Sequence, residues 1–153
     1  MNTDKLTPIG TDSKQSLKLM SAGIPDSTAD MYLVKHWACC MGDLKIMDKH
    51  FHDYPPEGVD HIEAWSLSRL IDLLPSEIYL SENDDDDEKF AILKWKLQVE
   101  KNRVRYFLDS SRSPLYETEG VNTIDAVVNM LVKLCEEGYQ NYIMESFEES
   151  CEN

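Results

Sequence analysis

The stretch that most limits how this chain can fold is a run with period two. Ala91, Leu93, Trp95, Leu97 and Val99 alternate with Ile92, Lys94, Lys96, Gln98 and Glu100. Successive side chains of a strand point to opposite faces, so the run predicts a strand with one apolar face and one mostly polar face. Lys101-Asn102 follows, and Arg103 to Leu108 resumes the alternation with Val104, Tyr106 and Leu108 against Arg103 and Arg105. Asn tolerates positive φ, so the two segments read as a hairpin closed by a two-residue turn. One apolar face of that length must be covered by something else in the chain.

Two helices are available to cover it. Asn122 is a natural N-cap, Asp125 falls in the first turn, and Ile124, Val127, Val128, Leu131, Leu134 and Cys135 make a broad apolar stripe before Gly138. Earlier, Ser66 caps a shorter helix whose Leu67, Leu70, Ile71 and Leu74 share one face. Trp65 and Leu70 occupy the two positions of a hydrophobic staple, and Pro75 forbids continuation. A helix this short is marginal alone and must bury its face to persist. Sharing one core beneath the hairpin satisfies both helices, which predicts an α+β fold: an antiparallel β-meander packed on one face by helices, a two-layer sandwich.

The remaining segments are less regular. Residues 1–10 hold little to bury and read as a flexible leader, residues 11–139 as a single domain, and residues 140–153 as an acidic tail or helix. A first helix runs from Asp12 or Ser13, with Leu17, Leu19 and Met20, to Ala22-Gly23, where glycine suits the left-handed position. After Pro25, the Asp26 to Asp30 stretch resembles a capping arrangement and opens a segment read as helix to about Cys40, although Tyr32, Val34 and Trp37 suit a strand equally well. Met41 to Glu63 reads as a long surface connection, Glu77 to Leu80 as a short strand, and Ser81 to Glu88, with Asp84 to Asp87, as a solvated loop. Leu115 to Thr118 supplies a further strand, and Tyr142, Ile143 and Phe147 recur at near-helical spacing in the tail.

Charge narrows the partners. Fifteen Lys and Arg stand against 29 Asp and Glu, a formal net of −14. Phosphate binding rests on clustered cations, so direct nucleic-acid binding is not expected; a protein partner is, and the acidic surface fits either a soluble protein in general or one whose partner is basic. Cys39, Cys40, Cys135 and Cys151 show no framework spacing, which predicts free thiols. The polar N-terminus predicts no signal peptide, and no apolar run reaches membrane length, so the sequence reads as cytoplasmic with no membrane contact.

Three blocks carry a likeness: Ala22-Gly-Ile-Pro-Asp-Ser-Thr-Ala-Asp-Met31, Ala64-Trp-Ser-Leu-Ser-Arg-Leu-Ile-Asp-Leu-Leu-Pro75, and Asn122-Thr-Ile-Asp-Ala-Val-Val-Asn-Met-Leu-Val-Lys-Leu134 closing with Glu-Gly-Tyr139. With the hairpin between them, this order resembles a family of small uncharacterised proteins from gut anaerobic bacteria and their prophages or mobile elements. The resemblance spans Ala22 to Tyr139, apart from Met41 to Glu63. It implies a setting and no chemistry, and its blocks coincide with caps and core faces.

Candidate chemistry is confined to one segment. All four histidines lie between His36 and His61, and His50, His52, Asp60 and His61 are donors of the kinds zinc uses, in no strict metal spacing. Cys39 and Cys40 follow Lys35 and His36, but nothing supplies a third catalytic member. No phosphate loop, nucleophile elbow or EF-hand pattern is found, so no catalytic residue and no cofactor are assigned. The reading is an accessory protein of a mobile element or prophage that binds another protein. Two alternatives stand beside it: a nucleic-acid mimic that inhibits a DNA-binding enzyme, and a metal- or thiol-dependent enzyme using residues 36–61.

Overall fold

The structure, a computed structural model, describes residues 9–36, 43–48, 61–82 and 91–151. Contacts along the chain group it into two compact units, Met1–Ile71 and Asp72–Asn153. Both are built from antiparallel strands and helices, the α+β class that the alternation and the helix stripes predict.

The first unit opens with α1 (Ser13–Ala22). The Asp12 carboxylate accepts from Gln15 N at 2.7 Å, while Gln15 Oε1 accepts from Asp12 N at 3.0 Å, a reciprocal capping box. Gly23 ends the helix at φ 107°, a left-handed conformation in which a side chain would be strained. Leu19 is buried, while Leu17, counted among the apolar content, is exposed. A single 3-10 turn over Asp26–Thr28 then leads into β1 (Met31–His36).

Residues 31–36 form a strand, where the sequence is read as helix. β1 is the central strand of a three-stranded antiparallel sheet, between β2 (Asp43–Asp48) and β3 (His61–Ala64). Pairing with β2 over Met31 to His36 and with β3 over Met31 to Val34 gives the segment a ladder on both edges, and that outweighs a weak local helix signal. The same sheet corrects the reading of Met41 to Glu63 as one irregular connection, since β2 and most of β3 lie within it. Met31, Leu33 and Ala64 form a buried cluster on one face.

Trp65 is buried and leaves no polar atom unanswered. Its backbone N donates to Thr11 Oγ1 at 3.0 Å, its carbonyl accepts from Thr11 N at 2.9 Å, and its indole Nε1 donates to Thr28 Oγ1 at 2.9 Å. Gly10, read as part of the leader, is buried and bridges Ser66; a Cβ there would come within 2.9 Å of the Trp65 carbonyl. Ser66 caps α2 (Leu67–Leu73) as predicted, with Oγ accepting from Arg69 N at 3.2 Å. Asp30 holds the cap in turn, accepting from Ser66 N at 2.8 Å and Ser66 Oγ at 2.5 Å.

The buried residues on α2 and just beyond it are Leu70, Leu73 and Leu74. Ile71, assigned to the apolar face, is 38% exposed, because the buried stripe keeps the predicted Leu70 and Leu74 but takes in Leu73 in place of Ile71.

The second unit is a four-stranded antiparallel meander: β4 (Glu77–Glu82), β5 (Ala91–Val99), β6 (Arg103–Phe107) and β7 (Tyr116–Glu119), in that spatial order. Register places Ile78 opposite Trp95, Leu97 opposite Tyr106 and Val99 opposite Val104, so the predicted apolar row shares one face. The β5–β6 hairpin forms as predicted, with Glu100 N donating to Arg103 O at 2.7 Å. Neither Lys101 nor Asn102 has positive φ, so the turn does not use the tolerance expected of Asn102.

On the apolar face lies α3 (Thr123–Glu136), packed against β6 and β7. Its predicted stripe is buried throughout, joined by Ala126 and Met130. Asn122 Oδ1 accepts from Asp125 N at 2.8 Å, and Thr118 Oγ1 donates to Ala126 O at 2.9 Å. Gly120 is required by proximity: a Cβ there would lie 2.5 Å from Ala126 N. Tyr106 is buried, its hydroxyl donating to Pro75 O at 2.7 Å, and burial pushes that hydroxyl well above the usual phenol range. The Trp95 indole N–H, also buried, has no partner among the described residues. Gly138, at φ 91°, turns the chain into α4 (Gln140–Cys151), which buries Ile143.

The buried stripe of α2 gives a direct comparison. Leu73→Ala should cost about 2–5 kcal/mol, as for a fully buried leucine, whereas Ile71→Ala should cost under about 1 kcal/mol. Denaturant unfolding of the two variants measures both; equal losses would restore the predicted face.

Candidate binding cleft

Of the residues proposed for metal, only His61 falls among those described; His50, His52 and Asp60 lie outside them, as do Cys39, Cys40 and the Asp84 to Asp87 run. His61 sits on β3 with Nε2 3.5 Å from the Glu63 carboxylate, its ring edge-on to Tyr32 at 6.1 Å. Among the described residues no group of three or more His, Cys, Asp or Glu is placed to hold a metal ion. Cys135 is free and buried, and burial, with Glu136 beside it, pushes its thiol up and away from the reactive thiolate.

The described structure offers a different site, within the second unit. Strand alternation turns Ile78 into the apolar face and so turns Glu77 and Tyr79 outward. On α4, Tyr142, Glu145 and Ser146 share one side through their i, i+3, i+4 spacing. These two surfaces, with Pro75 and Ser76, enclose a cleft of about 330 Å³. Tyr79 is 49% exposed there, a large aromatic ring presented to solvent by an otherwise regular strand.

The electrostatics of the cleft centre on Glu77. The Tyr79 hydroxyl donates a short hydrogen bond to Glu77 Oε2, and Lys94, the strand partner of Tyr79, brings Nζ within 3.1 Å of Glu77 Oε1. The Tyr79 bond first, and then Lys94, hold the Glu77 carboxyl below the usual carboxylate range. The same carboxylate raises the Tyr79 hydroxyl and the Lys94 ammonium above theirs.

Tyr142 belongs to a row of rings. It meets Tyr139 edge-on at 6.2 Å, and Tyr139 meets Tyr116 edge-on at 6.0 Å. At the far end of the row Lys133 Nζ lies 5.9 Å from the Tyr116 ring centre and 3.1 Å from Glu137 Oε1.

Beyond the cleft, carboxylates and cations interleave on the meander's outward face. Lys96 lies 3.9 Å from Asp109, Arg103 2.7 Å from Glu100, and Arg105 3.8 Å from Glu100. This face does not array carboxylates in two uninterrupted rows.

Sequence reading named none of the cleft residues as a site. The outward Glu77 and Tyr79 were legible from alternation, and Tyr142 with Glu145 from helical spacing. What joins them is how the end of the meander meets α4, and no local pattern encodes that. Comparison of the chain with protein-family models, with characterised proteins and with solved structures finds no match.

Two outcomes follow from these environments. Tyr79→Phe removes the strongest influence on Glu77, so its carboxyl should titrate at higher pH, nearer the ordinary value, in a pH series of side-chain NMR shifts; an unchanged titration would mean that the lysines, Lys94 and Lys96, set it. Cys135 should resist alkylation in the native protein and react fully once the chain is unfolded, as mass spectrometry of the peptide containing it can show.

Proposed function

We propose that the chain is a non-catalytic binding protein whose acidic surface engages a basic segment of another protein. The observation that carries this reading is the cleft between β4 and α4, where Glu77 and Glu145 stand beside Tyr79 and Tyr142. Residues 134–153, which include α4, contain six carboxylates and no Lys or Arg. Tyrosines supply contact area at low cost in conformational freedom, and carboxylates at the rim steer a cationic partner and fix its register. The resemblance to proteins of gut anaerobes and their prophages supports an accessory role in a mobile element, acting in the bacterial cytoplasm.

A nucleic-acid mimic draws less support, because the interleaved cations of the meander break the phosphate-like spacing such a surface needs. For an enzyme centred on residues 36–61, the candidates Cys39, Cys40, His50, His52 and Asp60 lie outside the described residues.

Capture from a bacterial lysate tests the reading. Screening shortens from about 10 Å at 0.1 M salt to about 3 Å at 1 M, so a steered partner should be retained at the first and released at the second. The captured protein should be basic, and Glu77→Gln with Glu145→Gln should reduce its retention. Equal retention at both salt levels would point to an apolar interface, and turnover of any substrate dependent on His50 or His52 would overturn the binding reading.

A further inference from the structure

We propose that the chain pairs with a second copy of itself through the open edge of β4, joining the two meanders into one continuous antiparallel sheet about a two-fold axis at Tyr79. The inference does not rest on the reading of a basic partner.

The open edge follows from the ladder. Leu97 N donates to Ser76 O at 3.0 Å, and hydrogen-bonded pairs alternate along an antiparallel ladder, so Ser76, Ile78, Leu80 and Glu82 turn their backbone groups to β5. Glu77, Tyr79 and Ser81 therefore turn theirs to the other side, where no strand among the described residues pairs with β4. The cleft of about 330 Å³ beside Ser76, Glu77 and Tyr79 separates α4 from the first half of that edge. The opposite edge of the meander is less available: β7 spans only Tyr116–Glu119, and the Glu119 carbonyl accepts from Asn129 Nδ2 at 2.8 Å. A row of unpaired strand N–H and C=O groups is a template for another strand.

The occupant follows from the sequence of that edge. Ser76-Glu-Ile-Tyr-Leu-Ser-Glu82 complements itself when reversed. With Tyr79 opposite the second copy's Tyr79, Glu77 of each copy stands opposite Ser81 of the other, and these are the residues whose backbone groups face the open edge. Each such pair exchanges two hydrogen bonds. Ile78 stands opposite Leu80, in the pairs where side chains approach most closely, and Ser76 opposite Glu82, so no carboxylate residue faces another. Tyr79, 49% exposed in the single chain, meets its own copy. Neighbouring registers fail. An axis at Ile78 sets Pro75, which has no N–H, against Ser81, and an axis at Leu80 sets Ile78 against Glu82. The pairing uses one patch on both copies and so closes at two.

Sedimentation equilibrium of the full chain tests the pairing. It should show a dimer whose dissociation constant falls as salt rises from about 0.1 M to about 1 M, since two copies of net −14 repel each other less when screened. Capture of a basic partner has the opposite salt dependence, so the two readings stand or fall separately. Ser81→Glu sets a carboxylate opposite each Glu77 and should raise the constant by about threefold or more, while Ser81→Lys should lower it by a similar factor. Ser111→Glu adds the same charge in an exposed loop and should have little effect. Tyr79→Pro removes the N–H on the axis, at an edge where a strand tolerates proline, and should give monomers. If that variant fails to fold, the two Ser81 variants decide. A monomer at every salt concentration, or a dimer that Ser81→Glu weakens no more than Ser111→Glu does, would overturn the inference.

Discussion

The hydrogen-bonded surround of Trp65 is the constraint on which the first unit depends. A buried indole contributes a large apolar area, but its N–H and the flanking backbone groups would each cost about 1–3 kcal/mol if left without partners. Thr11 answers both backbone groups of Trp65, and Thr28 answers the indole, its own hydroxyl donating to Pro25 O at 2.6 Å. Ser16 completes the set through a 2.8 Å hydroxyl contact with Thr11. Two stretches distant in sequence, 11–16 and 25–28, are tied to Trp65 in this way, which is why polar Thr11, Ser16 and Thr28 are all buried. Asp30 extends the tie to Ser66, at the point where strand gives way to helix.

In the second unit the organising constraint is alternation. Each strand of the meander divides its side chains between the α3 side and the outward side, and β4 shows what that division permits. Ile78 enters the core while Glu77 and Tyr79, its immediate neighbours, are presented outward. A core strand thereby doubles as one wall of a cleft. The other wall, on α4, is held by buried Ile143 and braced by the edge-on row of Tyr116, Tyr139 and Tyr142. The candidate site thus stands on regular elements whose inner faces are fixed by packing, the condition under which a binding geometry is preorganised.

The net charge of −14 takes on a more specific meaning once it is distributed. On the outward face of the meander, lysines and arginines stand beside carboxylates at 2.7–3.9 Å. Such exposed pairs add little stability individually, but they cancel the field of that face. The segment after Lys133 holds no Lys or Arg of its own, and α4 carries one of its carboxylates, Glu145, to the cleft.

Much of this was determined by sequence alone. The hairpin, both capped helices, the glycine at the end of α1 and the α+β class follow from local rules, since alternation, capping residues and breakers act over a few positions. Other features were decided by tertiary structure. Residues 31–36 became a central strand because two partners, one nearly thirty residues away, satisfied their backbone. The stripe on α2 took in Leu73 and left Ile71 outside, because burial depends on what packs against a helix. Gly10 is small because the distant Trp65 backbone passes close to it, and Gly120 because the first turn of α3 does. The cleft belongs with these: its residues sit at ordinary strand and helix positions, and only the fold brings Glu77 and Tyr79 to face Tyr142 and Glu145, since contacts between elements distant in sequence leave no periodic trace in either one.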